Sequence, residues 1–235
     1  MTASRPLYGM FTEIPPRYDL INRLITLGMD RGWRLKAARA CLSAHPRKVL
    51  DLCCGTGDLA ITIGTLADYP VEIQGFDYSQ PMLDLAARKA SALKGKTLAF
   101  RRGDAAKMPF DSGSFDCIGI SFALRNLTYN NPLAAAHLAE IVRVLKVGGR
   151  CVIAESSQPE SGWIRALYHF YMRQYTCRMG AWLSGNPAAY KYLAESTCRY
   201  YAPQELVALL IKNGFSQVFY QPLFFGAAGI YTASK

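Results

Sequence analysis

The chain has 235 residues, 51% of them hydrophobic and 19% charged, which suits one α/β domain carrying an insert and leaves ample material for a core. Its formal net charge of +10 brings acidic partners into consideration, anionic lipid headgroups among them. The basic residues are scattered, however, so no nucleic-acid partner is expected.

Residues 11–45 read as helical, with Ile21, Leu24, Ile25 and Gly28 near helical spacing, and Pro46 stops the pattern. Short apolar β-runs and helices then alternate. Val49 to Cys53 precedes a glycine turn and a helix over 58–68; Val71 to Phe76 precedes a helix from Pro81 to Leu93. Thr97 to Arg101 and Phe115 to Ser121 are the next runs. A helix over 132–145 is expected to end at Lys146–Gly149, with Gly148 as its left-handed cap, before a fifth run from Arg150 to Glu155. The runs at 49–53, 118–121 and 151–154 show little polar alternation, as strands covered on both faces do. Alternation of this kind predicts a parallel, doubly wound, Rossmann-like α/β sheet.

The pattern breaks after Pro159. Residues 161–200 are aromatic and basic without a β-run, and Pro203 opens a helix ending before Gly214. The runs 217–225 and 230–233 are close enough to be a hairpin, so one of them must oppose the rest of the sheet. No stretch reaches the roughly 20 apolar residues that span a bilayer, and three arginines in the Trp163–Trp182 insert exclude a spanning helix there. Met1 to Phe11 lacks a signal pattern, so a cytoplasmic location is expected. The seven cysteines contain no Cys-x-x-Cys pair and the three histidines stand apart; neither metal nor disulfide is expected.

The strongest local signal is Val49-Leu-Asp-Leu-Cys-Cys-Gly-Thr-Gly-Asp58. A strand feeding a glycine turn at a helix start presents free N–H groups to a ligand, and Gly55 and Gly57 let that ligand approach the backbone. The stretch also fits a dinucleotide fingerprint, with Asp77 placed to accept ribose hydroxyls from either cofactor. Asp58 would repel a pyrophosphate, and Asp51 adds negative charge, which favours a ligand with an amino group and a sulfonium: S-adenosylmethionine. Asp104, after the third run, suits an adenine edge or a turn cap.

Over nearly its whole length the chain resembles the ubiquinone/menaquinone biosynthesis C-methyltransferase family. The matching stretches are Met10-Phe11, Tyr18-Asp-Leu-Ile-Asn22, Leu50–Asp58, Met108-Pro-Phe110, Ser121-Phe-Ala-Leu-Arg-Asn126 and Tyr190-Lys-Tyr-Leu-Ala-Glu-Ser196. The resemblance implies the class I S-adenosylmethionine-dependent fold, with cofactor contacts from Thr56, Asp77, Asp104, Ala105 and Ser121. It implies a prenylated benzoquinol or naphthoquinol acceptor, and it places Tyr231 where the family commonly carries a histidine. Under this reading residues 1–235 form one methyltransferase domain: an N-terminal helical cap (1–45), a cofactor-binding core (46–160), a helical substrate lid (161–200) and a C-terminal helix and hairpin (201–235).

Methylating a quinol carbon requires a phenolate and a cation beside it. Arg125, always charged and following the fourth run, is the candidate catalytic residue, or else an ion pair that holds its loop. Water, Asp19, Glu155 or a tyrosine is the candidate proton acceptor. Tyr18, Tyr190 and Tyr192 are candidate substrate contacts, with core packing as the alternative. The aromatic-basic insert fits a lid that sheathes the tail and meets anionic headgroups at the inner face of the cell membrane, a self-contained helical cap, or a homodimer contact. Two other classes stand beside this one: a methyltransferase of the same fold with a different small acceptor, and a dinucleotide-binding module without catalysis.

Overall fold

The computed structural model describes residues 15–93 and 97–235, with side chains from residue 19 onward. Among the described residues two helices, α1 (Pro15–Ile25) and α2 (Met29–Leu42), precede the sheet. The helical stretch read over 11–45 is divided in two where Leu27 and Gly28 both take left-handed backbone (φ +53° and +77°) and reverse the chain. The part of that expectation before Pro15 lies outside the described residues.

The alternating segments follow as β1 (Lys48–Leu52), α3 (Asp58–Leu66), β2 (Glu72–Asp77), α4 (Gln80–Ala90), β3 (Thr97–Arg102), β4 (Phe115–Ser121), α5 (Leu124–Thr128), α6 (Ala134–Val144) and β5 (Leu145–Ser156). The helical insert is α7 (Gly162–Tyr171), a π-turn (Met172–Thr176), α8 (Cys177–Ser184) and α9 (Pro187–Cys198); α10 (Pro203–Lys212), β6 (Gln217–Leu223) and β7 (Ala228–Ser234) close the chain. The seven strands lie in the order β3-β2-β1-β4-β5-β7-β6. All neighbours pair in parallel except β7, which runs against both β5 and β6, so β7 is the strand of the hairpin that opposes the sheet.

The uninterrupted apolar runs have a plain cause. Leu50 and Leu52 of β1 face one side of the sheet with Ile118, Ile120, Ile153 and α6 and α10, while Val49, Cys117 and Val152 face the other with α2 and α3. Period-two alternation therefore sends each residue into one of two cores. Helix α6 ends at Val144 rather than at a glycine cap. Gly148 is left-handed, at φ +76°, but it sits inside β5, where its N–H donates to Lys235 O at 3.0 Å. A third cluster joins Ile21 and Ile25 of α1 to Ala189 and Tyr190 of α9, so the N-terminal helix packs on the insert rather than on the sheet.

Candidate active site

The strand order reverses between β1 and β4, and the crevice outside the carboxyl ends of these strands is where such sheets take ligands. A cavity of about 740 Å³ opens there, lined by the glycine turn, the loop after β4, the insert and α1. Gly55 (φ +53°) has nothing within 4 Å of where a Cβ would stand, so its open side is cavity. Gly57 (φ +77°) is crowded: a Cβ there would sit 2.9 Å from Ala86 Cβ and 3.0 Å from Phe100 Cζ. One glycine leaves room for a ligand and the other lets α3 pack.

Asp77, at the end of β2, holds this turn, accepting Gly55 N–H and Ser79 N–H at 2.9 Å each. Burial raises its carboxyl above the usual range, against the pull of these N–H groups. Asp104 follows β3 beside it; its Oδ1 accepts Ala106 N–H at 2.8 Å, the turn-capping bond anticipated for it. The Ala105 methyl belongs to the sheet core, which leaves its backbone for any ligand contact. Gly57, Asp77, Asp104 and Ala105 stand outside the cavity lining, whereas Gly55, Thr56, Ser121, Arg125, Tyr190 and Tyr192 are part of it. The Tyr18 side chain lies outside the described residues.

Thr56 is the meeting point of a polar network. Its hydroxyl donates to Asp19 Oδ1 at 2.8 Å, and Lys89 Nζ donates to Thr56 Oγ at 3.0 Å and Asp19 Oδ2 at 2.9 Å. Lys89 also pairs with Asp58, and Arg34 reaches Asp58 Oδ2 at 3.3 Å while pairing with Asp30. Asp58 is therefore paired with two cations, which weakens the repulsion the sequence suggested. Asp51 is fully buried; desolvation pushes its carboxyl up to about 8, aided by Asp77 and Asp58 and opposed by Ala60 N–H and Arg34.

On the other side of the cavity, buried Arg125 gives its backbone N–H to Glu155 Oε2 at 2.9 Å, keeps its guanidinium Nε 4.0 Å from Glu155 Oε1 and bonds through Nη1 to Ser196 on α9. Tyr168, hydrogen-bonded to Ser156, and Tyr192 line the same cavity, and burial raises both phenols. Tyr190 packs into the α1–α9 cluster and presents part of its ring to the cavity. Tyr231 does not line it: the residue is fully buried and its hydroxyl lies 3.3 Å from Ser157 Oγ. Nor does Glu155, whose Oε1 also accepts Ser156 N–H at 2.8 Å.

Among the described residues, six buried side-chain polar atoms lack a hydrogen-bond partner, and five of them belong to residues that line this cavity. They are Asp51 Oδ1, Ser121 Oγ, Arg125 Nε, Asn126 Oδ1 and Thr197 Oγ1; the sixth is Tyr69 OH. Such atoms cost about 1–3 kcal/mol each when left unmatched, so their concentration marks a place prepared for a polar ligand. Sequence spacing offers no sign of Arg34, Tyr168 or Thr197 as parts of this wall, nor of Lys89 as a partner of Thr56, because each is brought in from a distant segment.

The family model described as "ubiE/COQ5 methyltransferase family" matches residues 2–235. The demethylmenaquinone methyltransferase of Deinococcus radiodurans is 43% identical, over 96% of this chain and 91% of its own length. The ubiquinone/menaquinone biosynthesis C-methyltransferase UbiE of Geobacter sulfurreducens is 35% identical, over 96% and 87%. In fold, the chain is similar to a SAM-dependent methyltransferase from Aquifex aeolicus at a TM-score of 0.57 and 18% identity, over 80% of this chain and 82% of that one.

Proposed function

The chain belongs to the ubiE/COQ5 methyltransferase family, and on that premise we propose that it methylates a ring carbon of a prenylated quinol in menaquinone or ubiquinone biosynthesis, with S-adenosylmethionine as donor. The observation that carries the site assignment is the group of unpartnered polar atoms around one cavity between the glycine turn and Arg125. The residues fit the donor: an open glycine turn for close approach, and a buried carboxyl at Asp51 with an unmatched oxygen for a cationic group. When bound, that cofactor supplies a methyl group already activated on a sulfonium.

The chain's own residues then have the following roles. Gly55, Thr56 and Gly57 would form the cradle, Asp77 and Asp104, which stand beside the cavity rather than in its lining, would hold the sugar and base edge, the Ala105 backbone would assist, and Ser121 would close the floor. Arg125 holds the phenolate oxygen by charge, kept in place by Glu155 and Ser196. Glu155 is sealed behind Arg125, Asp19 is engaged by Lys89 and Thr56, and Tyr168 and Tyr192 keep their protons; the acceptor's proton therefore leaves to water. Tyr190 and Tyr192 flank the ring. From Pro15 on, the N-terminal segment to residue 45 and the insert 161–200 serve as cap and lid over the 46–160 core, and 201–235 completes the sheet.

The lid also supports contact with an anionic membrane surface on the cytoplasmic side. No residue of helix α7 is fully buried, and Trp163, Leu167 and Phe170, at i, i+4 and i+7, are exposed together at the cavity. Among the described residues no helix is long and apolar enough to cross a membrane. Co-sedimentation should favour anionic over neutral vesicles; equal binding would count against the lipid reading, and a concentration-dependent dimer covering α7 would replace it. For the cofactor, calorimetry should show micromolar S-adenosylhomocysteine binding and none for NAD; the reverse would overturn the assignment.

A further inference from the structure

The hairpin that ends the sheet turns through Phe224, Phe225, Gly226 and Ala227, between β6 and β7. Phe224 and Phe225 both hold left-handed backbone, at φ +43° and +54°. Consecutive positions of this kind at a hairpin tip are those that asparagine and glycine fill, because other side chains there crowd their own backbone. Aromatic residues in that conformation are outliers. The two rings gain little packing in exchange: they meet each other edge to face at 5.5 Å, and Phe225 is 74% exposed. Strain and exposed apolar surface thus fall on the same pair, a combination that points to a use outside the unliganded fold.

Both rings line the cavity that holds Arg125, and so do the exposed Trp163, Leu167 and Phe170 of α7. Residues that line a cavity and also face solvent mark its mouth. A cavity of about 740 Å³ is filled by one or two drug-sized groups. With a cofactor and a bicyclic ring inside, a long isoprenoid chain has to run out across that mouth. There it meets aromatic and aliphatic side chains rather than charges.

We propose that Phe224 and Phe225 are a tail clamp: the strained turn holds two rings out over the cavity mouth so that they close on the isoprenoid chain of the acceptor. This inference rests on the prenylated-acceptor reading above and assigns the residues that distinguish a tailed acceptor from a tail-free one. The strain is retained because relaxing the turn would withdraw the rings.

The test is the paired substitution Phe224→Asn with Phe225→Gly, which supplies the residues the turn favours. Binding of tailed and tail-free quinones in neutral detergent micelles is followed by quenching of tryptophan fluorescence. The wild-type chain should bind the tailed quinone at least ten times more tightly. The variant should lose that preference to within about twofold, keep its tail-free affinity, and melt about 2–4 °C higher as the strain is released. A variant that keeps the tail preference, or that melts lower, overturns the clamp. Loss of vesicle binding with the tail preference intact also overturns it and assigns the rings to the lipid surface. Because the readout is binding, failure of methyl transfer in a separate assay would sink the acceptor reading and leave this result to be judged by itself.

Discussion

A buried acid beside the glycine turn should make cofactor binding depend on pH. Asp51 is fully buried and its carboxyl titrates at about 8, so at pH 7 only about a tenth of the molecules carry the charge. A cationic ligand beside the unmatched Oδ1 needs that charge. Ionising Asp51 costs roughly 1 kcal/mol at pH 7 and almost nothing at pH 9, so the protein's contribution should tighten apparent Kd about tenfold over that interval. At pH 7 binding should release most of one proton, measurable by titration calorimetry in two buffers of different ionisation enthalpy. Asp51→Asn keeps the shape and the acceptor for Ala60 N–H but cannot ionise, so the difference between the two profiles removes the ligand's own titration. The sign for stability is opposite. The native carboxyl keeps its proton to higher pH than the unfolded one, so its stabilising contribution is full at acid pH and is lost as pH rises from about 4 through 8. Identical binding profiles for wild type and Asp51→Asn would refute the reasoning.

The two glycines of the turn should respond differently to alanine. Gly57→Ala, strained and crowded, should cost about 2–4 kcal/mol in denaturant unfolding; Gly55→Ala should cost about 1 kcal/mol yet weaken S-adenosylhomocysteine binding at least tenfold, and equal stability losses would contradict this. The Lys89 and Asp19 side chains are 32% and 45% exposed, so Lys89→Met should change stability by less than about 1 kcal/mol. Combined with Asp19→Asn it should show non-additive losses in cofactor affinity, because both act on Thr56; strictly additive losses would refute a shared network. Arg125→Lys keeps the backbone N–H bond to Glu155 but cannot place one side-chain group near Glu155 Oε1 and another on Ser196 at once, and should lower kcat about 100-fold with cofactor Kd nearly unchanged; unaltered turnover would remove Arg125 from catalysis.

The sheet was readable because its strands are buried on both faces and stand out as apolar runs; Phe115–Ser121 has the same bounds in sequence and structure. The helices between the strands were found to within a few residues. Gly28 was misread because it falls at an apolar position of the helical repeat while its backbone breaks the helix. Helix α5 spans only five residues, too few for any period to register. Lys146–Gly149 looked like a helix end because left-handed glycines serve caps and strand irregularities equally. At the site, the glycine turn and Asp77 were legible as a local motif. The bonds joining Thr56 to Asp19 and Lys89, and Arg125 to Ser196, connect residues 37, 33 and 71 positions apart, beyond the reach of spacing rules. Tyr231 could be placed by resemblance but not by burial; its hydroxyl belongs to Ser157.

The most direct measurement incubates the purified chain with methyl-labelled S-adenosylmethionine and chemically reduced, prenylated demethyl-naphthoquinol or demethyl-benzoquinol, and locates the label by mass spectrometry and carbon NMR. A new ring carbon–methyl bond, formed in step with S-adenosylhomocysteine, is the predicted result. Label on a phenolic oxygen, or none on either reduced acceptor, would contradict it.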